Sequence, residues 1–247
     1  MIYLFPALRS GGFLASHLSA TWEIILAYVL IALCAYLLGS VNTAILISRK
    51  KYGYDIREYG SGNAGMTNMG RTFGAKAAVF TALGDIFKAL VALSVGYFAL
   101  GDRALYIAGF FCIVGHCFPL YFGFRGGKGV IVSAVTILLM DPVIFLLVLA
   151  IFLLMFFATR IISASSITAA FFYPLLVAGI YRLRGTPRLE YVMFSLFIGL
   201  FIIAMHRENI RRLINREEKK VDFAKMKKKR EEKKKKAARA EKGEDEK

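Results

Sequence analysis

The chain has 247 residues, 57% of them hydrophobic, and carries 33 Lys and Arg against 17 Asp and Glu, a formal net charge of +16. A mean hydropathy of +0.55 at that charge excludes an ordinary soluble core and argues against a nucleic-acid-binding domain. Apolar spans alternating with basic loops reconcile the two, because Lys and Arg accumulate on the cytoplasmic loops of membrane proteins.

Met1 to Ala20 holds Arg9 and a short apolar run but no charged, apolar and small-residue cleavage sequence, so no removed signal peptide is expected. A spanning helix needs about 20 apolar residues. Seven segments are expected to span: Trp22 to Ser48, Ala75 to Leu100, Ala104 to Leu120, Gly129 to Met140, Pro142 to Ala158, Ala164 to Tyr181 and Glu190 to Met205. The fourth is too short to cross alone, and Asp141-Pro142 marks its break from the fifth. Cys34, Cys112 and Cys117 lie in or beside these runs without ligand or disulfide spacing, and read as small buried hydrophobes.

Seven spans put the termini on opposite sides and divide the loops into two sets. One holds Arg49, Lys50, Lys51, Arg57, Arg71, Lys76, Arg125, Lys128, Arg160, Arg207, Arg211 and Arg212, and continues into a basic tail. The other holds Arg9, Arg103, Arg182, Arg184 and Arg188, the last three being a local departure from the pattern. The positive-inside rule then places the C-terminus in the cytoplasm and the N-terminus outside. The expected organisation is an all-α, polytopic integral membrane protein: an extracytoplasmic segment at 1–21, a seven-helix domain at 22–213, and a charged, disordered cytoplasmic tail at 214–247. That tail reads equally as an attachment to anionic lipid, at about 1 kcal/mol per basic residue, or as a solvated appendage.

Four polar clusters interrupt the apolar pattern. Gly60-Ser61-Gly62-Asn63-Ala64-Gly65-Met66-Thr67-Asn68, followed by Arg71, combines glycines that let backbone N–H groups approach an anion with neutral donors at Ser61, Asn63, Thr67 and Asn68. Arg71 adds a fork suited to phosphate. Gly115-His116-Cys117-Phe118-Pro119 leads to Gly126-Gly127-Lys128-Gly129-Val130, which supplies one ammonium and, if Gly129 opens a helix, a favourable dipole. It lacks the first glycine and the Ser/Thr of a Walker A loop. His116 reads as a structural hydrogen-bonding residue. Thr159-Arg160 through Ser163 to Ser165-Ser166 again joins a charge to hydroxyls, although Ser-Ser at a helix start is also a cap. In His206-Arg207-Glu208-Asn209-Ile210-Arg211-Arg212, helical spacing puts His206 and Asn209 on one face. Asp85 and Lys88 lie inside the second span, where an ionisable residue costs about 2.5–3.5 kcal/mol, and their spacing permits an ion pair.

All four clusters fall on the cytoplasmic side of the expected topology, which points to a site for a phosphate-bearing substrate. In these motifs the sequence resembles the bacterial acyl-phosphate-dependent glycerol-3-phosphate acyltransferases, the PlsY family: Gly60 to Asn68 with Arg71, Gly115-His116 to Pro119 with Gly126 to Val130, Arg160 to Ser166, and His206 to Ile210. The resemblance runs from about Trp22 to Leu213. It implies seven helices and transfer of an acyl group from acyl phosphate to the 1-hydroxyl of glycerol 3-phosphate, giving lysophosphatidic acid, in the bacterial cytoplasmic membrane and without cofactor or metal. By motif position, Ser61, Arg71, Lys128, Ser165 and His206 would contact the substrates with Asn209 alongside, and Asn63, Asn68, Arg160 and Ser166 complete the candidate binding set; His206, Lys128 and Asn209 are the candidate catalytic residues. Met66, Met205 and the absence of a glycine after Leu213 depart from the family's usual pattern.

The chemistry stands on its own terms. An acyl phosphate carries its own leaving group, so the protein has chiefly to position the hydroxyl and neutralise phosphate. Lys128 and Arg71 suit the second task. His206 has the side chain suited to taking a proton, with a substrate phosphate as the alternative base. A transporter for an organic phosphate would place its site at mid-membrane on broken helices; a lipid-binding scaffold would depend on the tail; a phosphatidyl-alcohol transferase would need clustered aspartates that the loops lack.

Overall fold

The computed structural model describes residues 11–221. The first ten residues of the expected extracytoplasmic segment and the tail beyond Val221 lie outside the described residues. Among the described residues ten α-helices follow one another: α1 (Thr21–Ser40), α2 (Thr43–Tyr52), α3 (Met66–Phe73), α4 (Ala75–Leu100), α5 (Asp102–Cys117), α6 (Val130–Met140), α7 (Pro142–Thr159), α8 (Ile162–Leu183), α9 (Leu189–Met205) and α10 (Arg207–Ile214). Every apolar segment expected to span is largely helical, although the first is broken at Val41 and Asn42 into two helices and the third leaves the helix after Cys117. The break at Asp141-Pro142 is real, for Asp141 ends α6 and caps α7 by accepting from the Val143 and Ile144 amides at 3.0 and 3.2 Å.

Length qualifies the expected count. Among the described residues, five helical stretches are long and apolar enough to cross a membrane: Thr21–Tyr52, Ala75–Leu100, Asp102–Phe122, Pro142–Thr159 and Ile162–Leu183. The pair α9 and α10, bent by 60°, makes a sixth. At 11 residues, α6 is about 16 Å long, roughly half the hydrocarbon thickness.

α1 packs against α4 and α5, α7 against α8, and α8 against α9. Buried Leu93, Tyr97, Leu105, Ile113 and Val132 lie in the core between them. The α1 and α5 backbones come close together because both contact points are glycines. A Cβ on Gly39 would lie 2.3 Å from the Cys112 carbonyl oxygen, and one on Gly115 would lie 2.3 Å from that of Tyr36. This contact sets His116 beside the break between α1 and α2.

The outward faces stay apolar: Ile144 is the buried residue of α7, while Leu154 and Phe157 on the same helix are exposed. Cys34 corrects an expectation, being exposed, because its face of α1 points away from the bundle; Cys112 and Cys117 are buried as expected. Two of the three arginines that disturbed the charge pattern are used inside the fold. Arg184 pairs with buried Asp141, and Arg188 donates at 2.6 Å to the Tyr191 hydroxyl, which lies 3.4 Å from Asp102.

Candidate active site

The polar loops gather at the opposite end of the bundle from Asp141 and Asp102, and their own side chains tie them together. Arg57 reaches from the first loop to the second, donating to the Phe122 and Arg125 carbonyls at 2.6 and 3.1 Å. Asp55 holds that guanidinium at 2.8 Å and also receives Arg49 at 2.8 Å. The Arg57 hydrogen bonds keep the Asp55 carboxyl well below the usual carboxylate range, so this latch is charged throughout the neutral region.

Within the first loop, Asn68 acts on the backbone. Its Oδ1 accepts from the Ser61 amide at 2.9 Å, and its Nδ2 donates to the Ile56 and Tyr59 carbonyls at 3.2 and 2.8 Å. Gly60 has φ +66°, and a Cβ there would fall 2.2 Å from Asn68 Oδ1. Asn68 thus spends these hydrogen bonds on shaping the turn. Ser61 is exposed on that turn, Asn63 is half-buried, and Arg71 is exposed on α3.

The second loop is pinned from inside the bundle. Lys88 Nζ donates to the Gly39 and Val41 carbonyls at 3.0 and 2.8 Å, lies 3.0 Å from Asp85, and sits 2.9 Å from His116 Nδ1. His116 Nδ1 also lies 3.5 Å from Asp85 Oδ1, which leaves Nε2 on the other edge of the ring. That nitrogen faces Gly127, where a Cβ would lie 2.1 Å away. The Gly127 amide donates to the His116 carbonyl at 3.1 Å, and the Ala64 amide to Gly126 at 3.4 Å, so the two glycine loops share an edge. Gly129, at φ +77°, starts α6.

Lys128 then extends from this fixed loop to Asn209, donating to its Oδ1. Asn209 Nδ2 donates at 2.9 Å to Glu218 Oε1, which also accepts from Ser163 Oγ at 2.9 Å; Glu218 Oε2 accepts from Arg212 Nε at 2.6 Å. A carboxylate thus sits in a cradle of three donors, with an ammonium behind it. Burial, then the charges of Arg212 and Arg71, pull the Lys128 pKa down to about 8, against the opposing pull of Glu218. His206, buried at the bend between α9 and α10, donates from Nδ1 to the Ile202 carbonyl at 2.7 Å. A carbonyl only accepts, so Nε2 keeps the lone pair.

The structure thus gathers Lys128 and Asn209 into one site, with Arg71 near enough to act on Lys128 electrostatically. In the third cluster the Ser163 hydroxyl reaches Glu218. Ser165 and Ser166 donate to the Ile161 and Ile162 carbonyls at the start of their helix, at 2.9 and 3.0 Å. Arg160 is exposed in a left-handed cap, φ +59°, and its carbonyl accepts from the Val221 amide at 2.8 Å. Arg212 was legible as the residue three beyond Asn209 on a helix. Glu218 had no signal in its highly charged stretch.

Residues 29–216 match the family described as glycerol-3-phosphate acyltransferase. Relatives carrying that name include one from Clostridioides difficile (strain 630), 37% identical over 80% of this chain and 97% of its own. Another, from Geobacillus kaustophilus (strain HTA426), is 40% identical over 78% and 96%. Two crystal structures of PlsY (YgiH), an integral membrane glycerol 3-phosphate acyltransferase, share the fold. The glycerol 3-phosphate form has a TM-score of 0.72 at 31% identity, and the lysophosphatidic acid form 0.70 at 30%, each covering 81% of this chain and 98% of its own.

Proposed function

Because this chain belongs to the glycerol-3-phosphate acyltransferase family, we propose that it moves a fatty acyl group from acyl phosphate to the 1-hydroxyl of glycerol 3-phosphate, forming lysophosphatidic acid. The observation that carries this reading is the carboxylate of Glu218, held by Ser163, Asn209 and Arg212 with Lys128 behind Asn209. Side chains that bind one oxyanion pair this way suit a phosphate, and they lie at the end of helices whose outer faces are apolar enough to meet an acyl chain. In the reaction, the hydroxyl oxygen attacks the acyl carbon and the carbon–oxygen bond to phosphate breaks, the phosphate leaving with its electron pair. Lys128 and Arg71 offset the charge on that phosphate. Ser61, Asn63 and Arg160, on the first and third loops, are further candidate contacts to the substrates. His206 Nε2 is the side-chain acceptor for the hydroxyl proton, and a substrate phosphate is the alternative. An active His206→Ala variant assigns the proton to the phosphate. The scheme uses no cofactor.

The membrane reading goes with it: seven crossings, the N-terminus outside and the loops and C-terminus in the cytoplasm of a bacterial cell, at its cytoplasmic membrane. The short α6 crosses only if its far end stays inside protein, and the Arg184–Asp141 pair supports that by neutralising the carboxylate there. Purified protein given glycerol 3-phosphate should make lysophosphatidic acid from palmitoyl phosphate, and none from palmitoyl-CoA or palmitoyl acyl carrier protein. Product from neither class of donor sinks the reading; product only from a thioester moves the donor.

A further inference from the structure

The carboxylate in the cradle belongs to the chain itself, and it comes from beyond the stretch matched to the family, which ends at residue 216. After α10, residues 215–221 double back across the loop end. The Glu217 amide donates to the Arg212 carbonyl at 2.7 Å, the Lys219 carbonyl accepts from Arg71 at 3.4 Å, and the Val221 amide donates to Arg160 at 2.8 Å. Between these anchors the Glu218 side chain is inserted until only 4% of it is exposed.

We propose that Glu218 is an internal competitor for the substrate-phosphate subsite, carried by a strap of residues 217–221 that must withdraw before glycerol 3-phosphate binds. This rests on the acyltransferase reading of the site. Three features carry it. The donors holding the carboxylate are Ser163, Asn209 and Arg212, and a phosphate in the cradle would need the same hydrogen bonds. The strap also accepts from the Arg71 side chain of the first loop cluster and donates to the Arg160 backbone carbonyl of the third, so one short segment ties together three of the four clusters. The carboxylate is ionised there: burial opposes it, but hydrogen bonds from Arg212, Asn209 and Ser163 bring it below the ordinary glutamate value.

A strap that closes the site about nine-tenths of the time weakens apparent affinity about ten-fold, because only the open fraction binds. Glu218 thereby sets the working range of glycerol 3-phosphate for this enzyme. An amide at 218 would keep the shape but lose the charge that Arg212 attracts.

The test compares the full chain, Glu218→Gln and a chain ending at Arg216, each in detergent, by equilibrium binding of glycerol 3-phosphate and inorganic phosphate and by acyl transfer from palmitoyl phosphate. Both variants should bind both anions about ten-fold more tightly than the full chain, and their KM for glycerol 3-phosphate should fall by the same factor with kcat unchanged. Equal affinities in all three overturn the competitor, and so does weaker binding in both variants, which would make Glu218 a part of the site. Tighter binding without turnover by any of the three would retain the competitor and sink the acyltransferase reading.

Discussion

Lys128 shows how one residue's surroundings set its working range. In water its ammonium would stay charged far above neutrality, but burial and the nearby guanidinium groups bring its pKa down to about 8. A lysine with a depressed pKa is cationic below that value and neutral above it. A phosphate monoester is a dianion above about pH 6 and a monoanion below it, so its attraction to the ammonium is fullest over a window of about pH 6 to 8. Acyl transfer should therefore decline as pH rises through about 8. Lys128→Arg, whose guanidinium does not titrate there, should flatten that alkaline limb, and Lys128→Met should lower kcat/KM by about 10²–10³. An unchanged limb in the arginine variant would assign the titration elsewhere. Lys128 was legible in the sequence because Gly-Gly-Lys-Gly is an anion-binding pattern. The division of labour among Ser163, Ser165 and Ser166 was not, since all three lie within one helical turn and only the rotation of α8 decides which hydroxyl faces Asn209 and Glu218.

Between residue and fold lies the glycine loop. Lys128 is held in place by a chain of contacts that starts inside the bundle, at Asp85 and Lys88 on α4, passes through His116 at the end of α5 and arrives at Gly127. An ion pair in an apolar span is costly unless it is compensated, and here two backbone carbonyls exposed by the α1–α2 break take up the ammonium. Gly127 has no room for a side chain, because a Cβ would meet both His116 Nε2 at 2.1 Å and the Ala64 carbonyl at 2.9 Å. Gly127→Ala must push the loop outward. A displacement of about 1 Å at a positioned group costs about 10² in rate, so kcat/KM should drop by about that factor while detergent-purified protein retains its helical circular dichroism. Near-normal turnover would show that the loop yields without consequence. The pairing of Asp85 with Lys88 could be read from their spacing, but the service of that pair to a loop 39 residues later needed the contact between α1 and α5 that Gly39 and Gly115 allow.

At the scale of the whole molecule, the proposed orientation has a direct check. In a chain whose native cysteines are replaced by alanine, Thr186→Cys, between α8 and α9, should react with a membrane-impermeant maleimide in intact cells. Lys51→Cys, at the end of α2, should react only after the cells are opened. The reverse pattern would invert the topology and put the loop site on the outer face.

Periodicity and charge in the sequence alone determined the apolar helices, the break at Asp141-Pro142 and the four polar clusters, because a hydrocarbon solvent demands long apolar runs and leaves the polar residues to the loops. The tertiary structure decided what those clusters do together. Arg57 latches two loops, Asn68 shapes the turn, Ser163 meets Glu218, and that glutamate from beyond the family match enters the cradle. None of these could be read locally, because each depends on helices rotated and bent so that residues far apart in the chain share the same few ångströms.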